Sequence, residues 1–357
     1  MFPYWFLFSF FAAGAVRTST RGPLGRRTTP ALILGAVIVA VMVGLRYHVG
    51  ADWFAYERMF EVAGSDDLLA SLTASDPGYM FINWLVSTLG LELWGVNFIC
   101  GTVLAWGLTR FAKEQPNPWL AFVVAVPYLV IVVAMGYSRQ GVAIGIILAG
   151  LAVVDRAPLW RLGLYLIAAV LFHKSAIILL PVVALSMRQN RLLRGIVIFF
   201  TAVGLYYLVV APALGNLVNN YLDQEYESQG ALVRVLMNIP PAILFFLFRR
   251  RIADTEQQMK MWTNFSACAL IALAAVLIMK SSTAIDRMAL YLIPLQLYVL
   301  SRLPDSFGRK QTSGVLLAGV LAYSALVQFV WLNFATHSDA WVPYRVFPVT
   351  GGNPEGV

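Results

Sequence analysis

Residues 118–154 read PWLAFVVAVPYLVIVVAMGYSRQGVAIGIILAGLAVV: two apolar runs joined at a single arginine, Arg139. Continuous runs exclude a transmembrane β-barrel, whose strands alternate apolar and polar positions. They suit helices that cross a bilayer, which takes about 20 residues with shorter stretches tolerated. Such runs recur along a chain that is 59% hydrophobic and 12% charged, where soluble domains are roughly a quarter charged. The chain therefore reads as an all-α polytopic membrane protein, a single integral membrane domain over 1–357 with 337–357 as an outward-facing tail.

Hydropathy predicts twelve spans, near 2–16, 30–46, 93–111, 118–134, 139–154, 159–172, 175–187, 195–211, 231–248, 262–280, 287–301 and 312–334. The first run has no basic residue before it, unlike a signal peptide, and reads as a retained span. Residues 77–90, PGYMFINWLVSTLG, are apolar but short and read as a re-entrant or interfacial helix. With that assignment, alternate connections carry 18 of the 26 basic residues, and 13 of the 18 acids fall on the other side. The cation-rich side is cytoplasmic by the positive-inside rule, so both termini face outward.

The net charge of +8 is then a set of orienting loop cations rather than a nucleic-acid footprint. Cys100 and Cys268 both lie in apolar runs and suit packing. No phosphate loop, HExxH, paired CxxC or Asp-x-Asp motif is present. The reading is of a metal-independent protein with no cofactor.

Eight cations fall on the outer side: Arg46, Arg58, Arg139, Lys174, Arg234, Lys280, Arg287 and Arg345. So do all three histidines, His48, His173 and His337. Most of these groups sit at span mouths, where ionisable residues are functional candidates by default. Arg139 and Arg287 open outward-to-inward spans. A helix N-terminus already carries about half a positive charge, so a cation there calls for a shared anion. Unpaired N–H groups and arginine forks both bind phosphoryl oxygens. The expectation is an outward-facing site for phosphate or pyrophosphate. Plainer roles compete: Arg139 snorkelling to headgroups, Arg287 pairing with Asp286 or Glu92, Asp52 capping the helix at Trp53, and the aromatics forming an interfacial belt.

Four segments in order, RYHVGADWFAY (46–56), SRQGVAIGI (138–146), FHKSAIILLP (172–181) and DRMALYLI (286–293), resemble the EpsG family of bacterial exopolysaccharide membrane proteins, related to Wzy-type polymerases. The family's motif residues fall on Arg46, Tyr47, Gly50, Asp52 and Tyr56, on Arg139 and Gln140, on His173 and Lys174, and on Arg287 and Tyr291. The closing WVPYRVF (341–347) is similar through Pro343 and Tyr344; Ala51 departs from the family's usual polar residue.

The resemblance implies a GT-C-like or Wzy-like helical bundle in the bacterial inner membrane, with its active site facing the periplasm. It implies polymerisation of lipid-linked repeat units, the growing glycan passing from undecaprenyl pyrophosphate to the next repeat. The partners would be that lipid-linked oligosaccharide, the bilayer, and a flippase and chain-length regulator, with no nucleic acid. Arg139 and Arg287 would bind the pyrophosphate, with Arg46 and Lys174 in second rank. His173 is favoured over Asp52 as the base. Tyr47, Trp53, Tyr56, Tyr79, Gln140 and Tyr291 would contact substrate. A transferase adding a single sugar from a polyprenyl-phosphate donor, and a polysaccharide flippase, are the rival readings.

Overall fold

The computed structural model describes residues 1–20, 29–65, 67–156, 159–186, 195–196, 199, 203, 230–278, 283–308 and 310–349. Most of the expected span 195–211, the expected outer loop up to residue 229, and Lys280 lie outside the described residues.

The described chain is helical. The first half runs α1 (Phe2–Thr20), α2 (Pro30–Gly44), α3 (Trp53–Ser65), α4 (Leu68–Ala74), α5 (Pro77–Thr88), α6 (Leu93–Ala112), α7 (Pro118–Ala125), a π-helical segment (Val126–Ala134) and α8 (Ser138–Leu151). The second half runs α9 (Leu159–Phe172), a 3₁₀ turn (Lys174–Ile178), α10 (Leu179–Ser186), α11 (Ala231–Leu236), α12 (Ile239–Ile252), α13 (Glu256–Ile278), α14 (Thr283–Ala289), α15 (Ile293–Arg302) and α16 (Lys310–Phe334). Among the described residues, three stretches are long and apolar enough to cross a membrane: Ala231–Ile252, Glu256–Ile278 and Gln311–Phe334.

Local chemistry sets the helix starts. Thr29 caps α2 through Leu32 N–H at 3.2 Å, with Pro30 at the first turn. Asn117 caps α7 through Leu120 N–H at 3.2 Å, ahead of Pro118. Proline is well placed there because its missing N–H would have had no helical partner.

The segment that opened the reading becomes the pillar of the bundle: every residue of 118–136 is buried. A helix apolar all round has no face to give to water and goes to the centre. Around it, α6 packs backbone to backbone on α8; a Cβ on Gly107 would lie 1.8 Å from the Gly145 carbonyl oxygen. Small residues permit this close approach where apolar area alone does not drive helices together.

Polar groups collect at two opposite ends. At one, Arg156 pairs with Glu114 at 2.8 Å, and Asp155 accepts from Thr255 and Gln258. There Arg302 donates to Gln115 at 2.8 Å and to Asp254 at 2.6 Å. These contacts join connections that charge patterning assigns to a common side. The other end gathers the loop after α2, the starts of α5 and α8, His173, α14 and the tail.

Helix α5 agrees with the interfacial reading of 77–90. Its 12 residues span about 18 Å at 1.5 Å each, too short for a ~30 Å core. Asp76 before it pairs with Arg139, and Trp94 after it stacks on Phe347 of the tail at 5.8 Å. The chain thus leaves α5 at the end where it entered.

The tail is strapped across that end. Tyr47 N–H donates to Arg345 O at 3.0 Å, Phe347 N–H to Leu45 O at 2.8 Å, and Gly50 N–H to Ala340 O at 2.9 Å. Gly50 has φ +107°, and a Cβ there would lie 2.2 Å from Met135 O, so only glycine fits. Trp341 is buried, its indole N–H donating to Ile131 O within the π-helical segment at 2.7 Å. Trp341→Ala is expected to cost about 3–5 kcal/mol, as for other large-to-small core changes. Trp341→Phe keeps most of the ring and leaves one buried carbonyl unpaired, a loss of about 1–3 kcal/mol. Thermal unfolding of the detergent-solubilised protein checks the order.

Candidate active site

Arg139 is the second residue of α8, so its guanidinium adds to the N–H groups of a 14-residue helix start. It donates from Nη1 to Asp76 Oδ2 at 2.7 Å and to Ser75 Oγ at 3.0 Å. Asp76 is buried and is the residue sequence reasoning missed. Asp before Pro at a helix start reads as an N-cap, yet Asp76 makes no side-chain cap bond. Its carboxylate turns to Arg139, and Oδ1 accepts Lys174 N–H at 3.3 Å. Nothing in the local sequence distinguishes it from Asp67, which does cap α4 through Ala70 N–H.

Arg287 is exposed and makes no ion pair among the described residues. The expectation that it opens a span is corrected. The helix starts at Thr283, and Arg287 sits in the last turn of α14. A 3₁₀ turn and Pro294 at the start of α15 break the run, because proline cannot continue a helix. The pairing with Asp286 is also corrected: Asp286 is held by both Nε and Nη2 of Arg234, at 2.5 and 2.6 Å. Gln140 Nε2 donates to the Arg287 carbonyl at 2.5 Å, tying α14 to α8. That is a positioning contact where a substrate contact was expected.

Asp52 faces this pair of cations. Burial pushes its carboxyl above the ordinary carboxylate range, against the pull of Arg287 and then Arg139. His173 lies in the same field, and burial lowers it to about 4, opposed by Asp76 and reinforced by Arg139 and Arg287. Its Nδ1 meets Ser175 Oγ at 2.5 Å and Tyr291 Oη at 3.2 Å. Lys174 has an exposed side chain beside it. The structure thus brings together Asp52, Arg139, His173, Lys174 and Arg287 from four separate stretches of chain.

Other expected members have different work. Arg46 is 1% exposed. It donates to Val43 O at 2.5 Å, Val49 O at 3.3 Å and Ser138 Oγ at 2.6 Å, and lies over the Trp53 ring. A guanidinium enclosed this way is a strut, away from any surface anion. Trp53, Tyr56, Tyr79 and Tyr291 are buried and offer no open ring face to a sugar. Tyr56 packs on Tyr79 at 5.6 Å and lies in the electrostatic field of Arg139, so it supports the site from beneath. Tyr47 is half-buried, its ring against His48, Trp53 and Phe347. Aromatic residues at a span mouth serve packing as readily as binding, and hydropathy cannot separate the two.

Residues 31–346 match the profile of the EpsG family. The chain belongs to the EpsG family. No curated protein and no solved structure matches it. The matched range of this EpsG chain runs from the first turn of α2 to Val346, whose bridge to Arg46 closes the strap. The family unit therefore includes the tail as well as the cation cluster.

Arg139 and Asp76 form a largely buried pair, with side chains 21% and 7% exposed. Removing one partner leaves the other uncompensated, at a cost near the lower end of about 3–5 kcal/mol because Arg139 keeps some solvent. Asp76→Asn and Arg139→Gln are each expected to destabilise, and the double variant less than their sum. A double-mutant cycle on thermal unfolding measures that coupling.

Proposed function

We propose that this EpsG-family chain polymerises lipid-linked oligosaccharide repeat units in exopolysaccharide or O-antigen-type synthesis. The growing glycan is transferred from undecaprenyl pyrophosphate to the next repeat at the outer face of the inner membrane. The observation that carries this reading is the exposed Arg287, which makes no ion pair among the described residues, beside the anchored Arg139, with Asp52 in the field of both. Family membership supports an exopolysaccharide role. The meeting of alternate connections at opposite ends supports a twelve-span, GT-C-like or Wzy-like bundle with this site facing outward.

In the proposed step the bond from the donor sugar's anomeric carbon to pyrophosphate oxygen breaks, its electron pair leaving with pyrophosphate. Arg287 and Arg139 stabilise the charge that grows there, with Lys174 nearby; preorganised charge of this kind is usually the largest catalytic contribution. The acceptor hydroxyl oxygen forms the new bond to that carbon, and its proton passes to Asp52. His173 suits the base role less well. Its Nδ1 is engaged by two hydroxyls, which leaves that nitrogen committed to contacts inside the protein. It positions Ser175 and Tyr291 instead. The charged groups gather at one end, whereas a transporter would place them near mid-depth. Both rival readings are settled by product size.

Purified protein given lipid-pyrophosphate-linked repeats is expected to yield a ladder; a single added sugar would indicate a transferase, and no product from folded protein would sink both. Arg287→Ala should abolish the ladder while barely moving thermal stability, since the side chain is exposed, and Arg287→Lys should recover part of it.

The pH dependence separates the two base candidates. A base works when ionised, and the Asp52 carboxyl is raised, so activity should fall on acidification at a pH above the ordinary carboxylate value of about 3.9. Asp52→Asn should lower kcat by about 10²–10⁴. His173→Gln should keep the acidic limb where it is; its disappearance in that variant would return the role to His173.

A further inference from the structure

A cavity of about 340 Å³ opens between α11 and the C-terminal half of α16. Its walls are Val233 and Met237 on one side and Leu326, Val330 and Phe334 on the other, with Tyr128 of the π-helical segment among the lining residues. Val233, Leu326 and Phe334 are 58, 58 and 72% exposed. Both walls belong to stretches long and apolar enough to cross a membrane, so the mouth of the groove faces lipid.

One part of the groove is polar. Arg234 lies there, bonded by two nitrogens to Asp286, and the next residue is the exposed Arg287. Tyr137, between the pillar and α8, sits in the fields of Arg234, Asp52, Asp286 and Arg287 together. The Arg234–Asp286 ion pair therefore links the polar part of the groove to the residue that precedes Arg287. Asp286 pairs with Arg234, and Arg287 beside it is exposed and makes no ion pair among the described residues.

We propose that this groove holds the isoprenoid tail of the lipid-linked glycan whose pyrophosphate rests on Arg287. The proposal depends on the functional reading above and names where its lipid lies. An apolar channel ending at an uncompensated cation complements an amphiphile with one apolar chain and an anionic head. Ligand sites are concave and mostly apolar, with a few placed polar groups, and this groove has that composition. One groove between two helices takes one chain, which favours a polyprenyl lipid over a two-chain phospholipid.

The test is photolabelling of the full chain in nanodiscs with a short polyprenyl pyrophosphate carrying a diazirine on its terminal isoprene. Label should enter the peptides holding Val233–Met237 and Leu326–Phe334. Unlabelled polyprenyl pyrophosphate should displace it, and excess phosphatidylglycerol should not. Val330→Trp and, independently, Leu326→Trp should fill the groove and cut labelling. They should raise KM for the lipid-linked repeat about tenfold with kcat unchanged, the pattern of lost uniform binding. Label outside the groove, equal displacement by phosphatidylglycerol, or unchanged labelling of both tryptophan variants overturns the proposal. Label in the groove with no glycan product would sink the polymerase reading and leave a polyprenyl-pyrophosphate site. Wild-type polymer and wild-type labelling from both variants would do the reverse.

Discussion

Arg46 is a buried cation with no carboxylate in contact among the described residues, satisfied by two carbonyls and a serine hydroxyl. Taking a charge out of water is expensive unless its donors are matched, so the groups around it are tightly constrained. Val43 at the end of α2, Val49 in the following loop and Ser138 at the start of α8 must all converge on one guanidinium. Trp53 closes over it, and the tail bridges at Val346. That convergence sets where Asp52 and Arg139 stand relative to one another.

Around this strut the other charges divide into held and available groups. Arg139 is held by Asp76, Arg234 by Asp286 and Arg302 by Asp254. Arg287 and Lys174 are exposed with no such partner among the described residues. A paired arginine brings geometry and little net charge, whereas an open one brings charge and adjusts to what binds. The candidate site combines one of each across Asp52. An exposed cation without a carboxylate partner among the described residues is available to an arriving anion, which makes this end of the bundle a binding surface as well as a structural one.

Much of this was legible in the sequence. Continuous apolar runs located some helices nearly to the residue, 159–172 being α9 as read and 93–111 becoming Leu93–Ala112, while 262–280 became Glu256–Ile278 and 287–301 divided into Thr283–Ala289 and Ile293–Arg302. Charge alternation read 77–90 as a non-crossing helix because a further span would have inverted every later loop, and the structure has a helix of 12 residues there. The resemblance carried by four short motifs was confirmed by a match over 31–346. Arg139, Lys174 and Arg287 were named because cations against the orientation rule stand out in an apolar chain, and Asp52 and His173 because they lie at span mouths within the motifs that carry the family resemblance.

What the sequence by itself determined is the helical class, the order of the segments, the family, and which end gathers the unusual charges, because periodicity and charge bias are properties of neighbouring residues. What only the tertiary structure decided is which of those charges are spent on the fold. Asp76 in place of Asp286 or Glu92 as a partner in the cation cluster, Arg46 as a strut, Trp53, Tyr56 and Tyr79 as core, and the groove between α11 and α16 all depend on residues far apart in the chain. The physical reason is that an ion pair or a buried ring is fixed by what packs against it from other helices, and no local pattern records that.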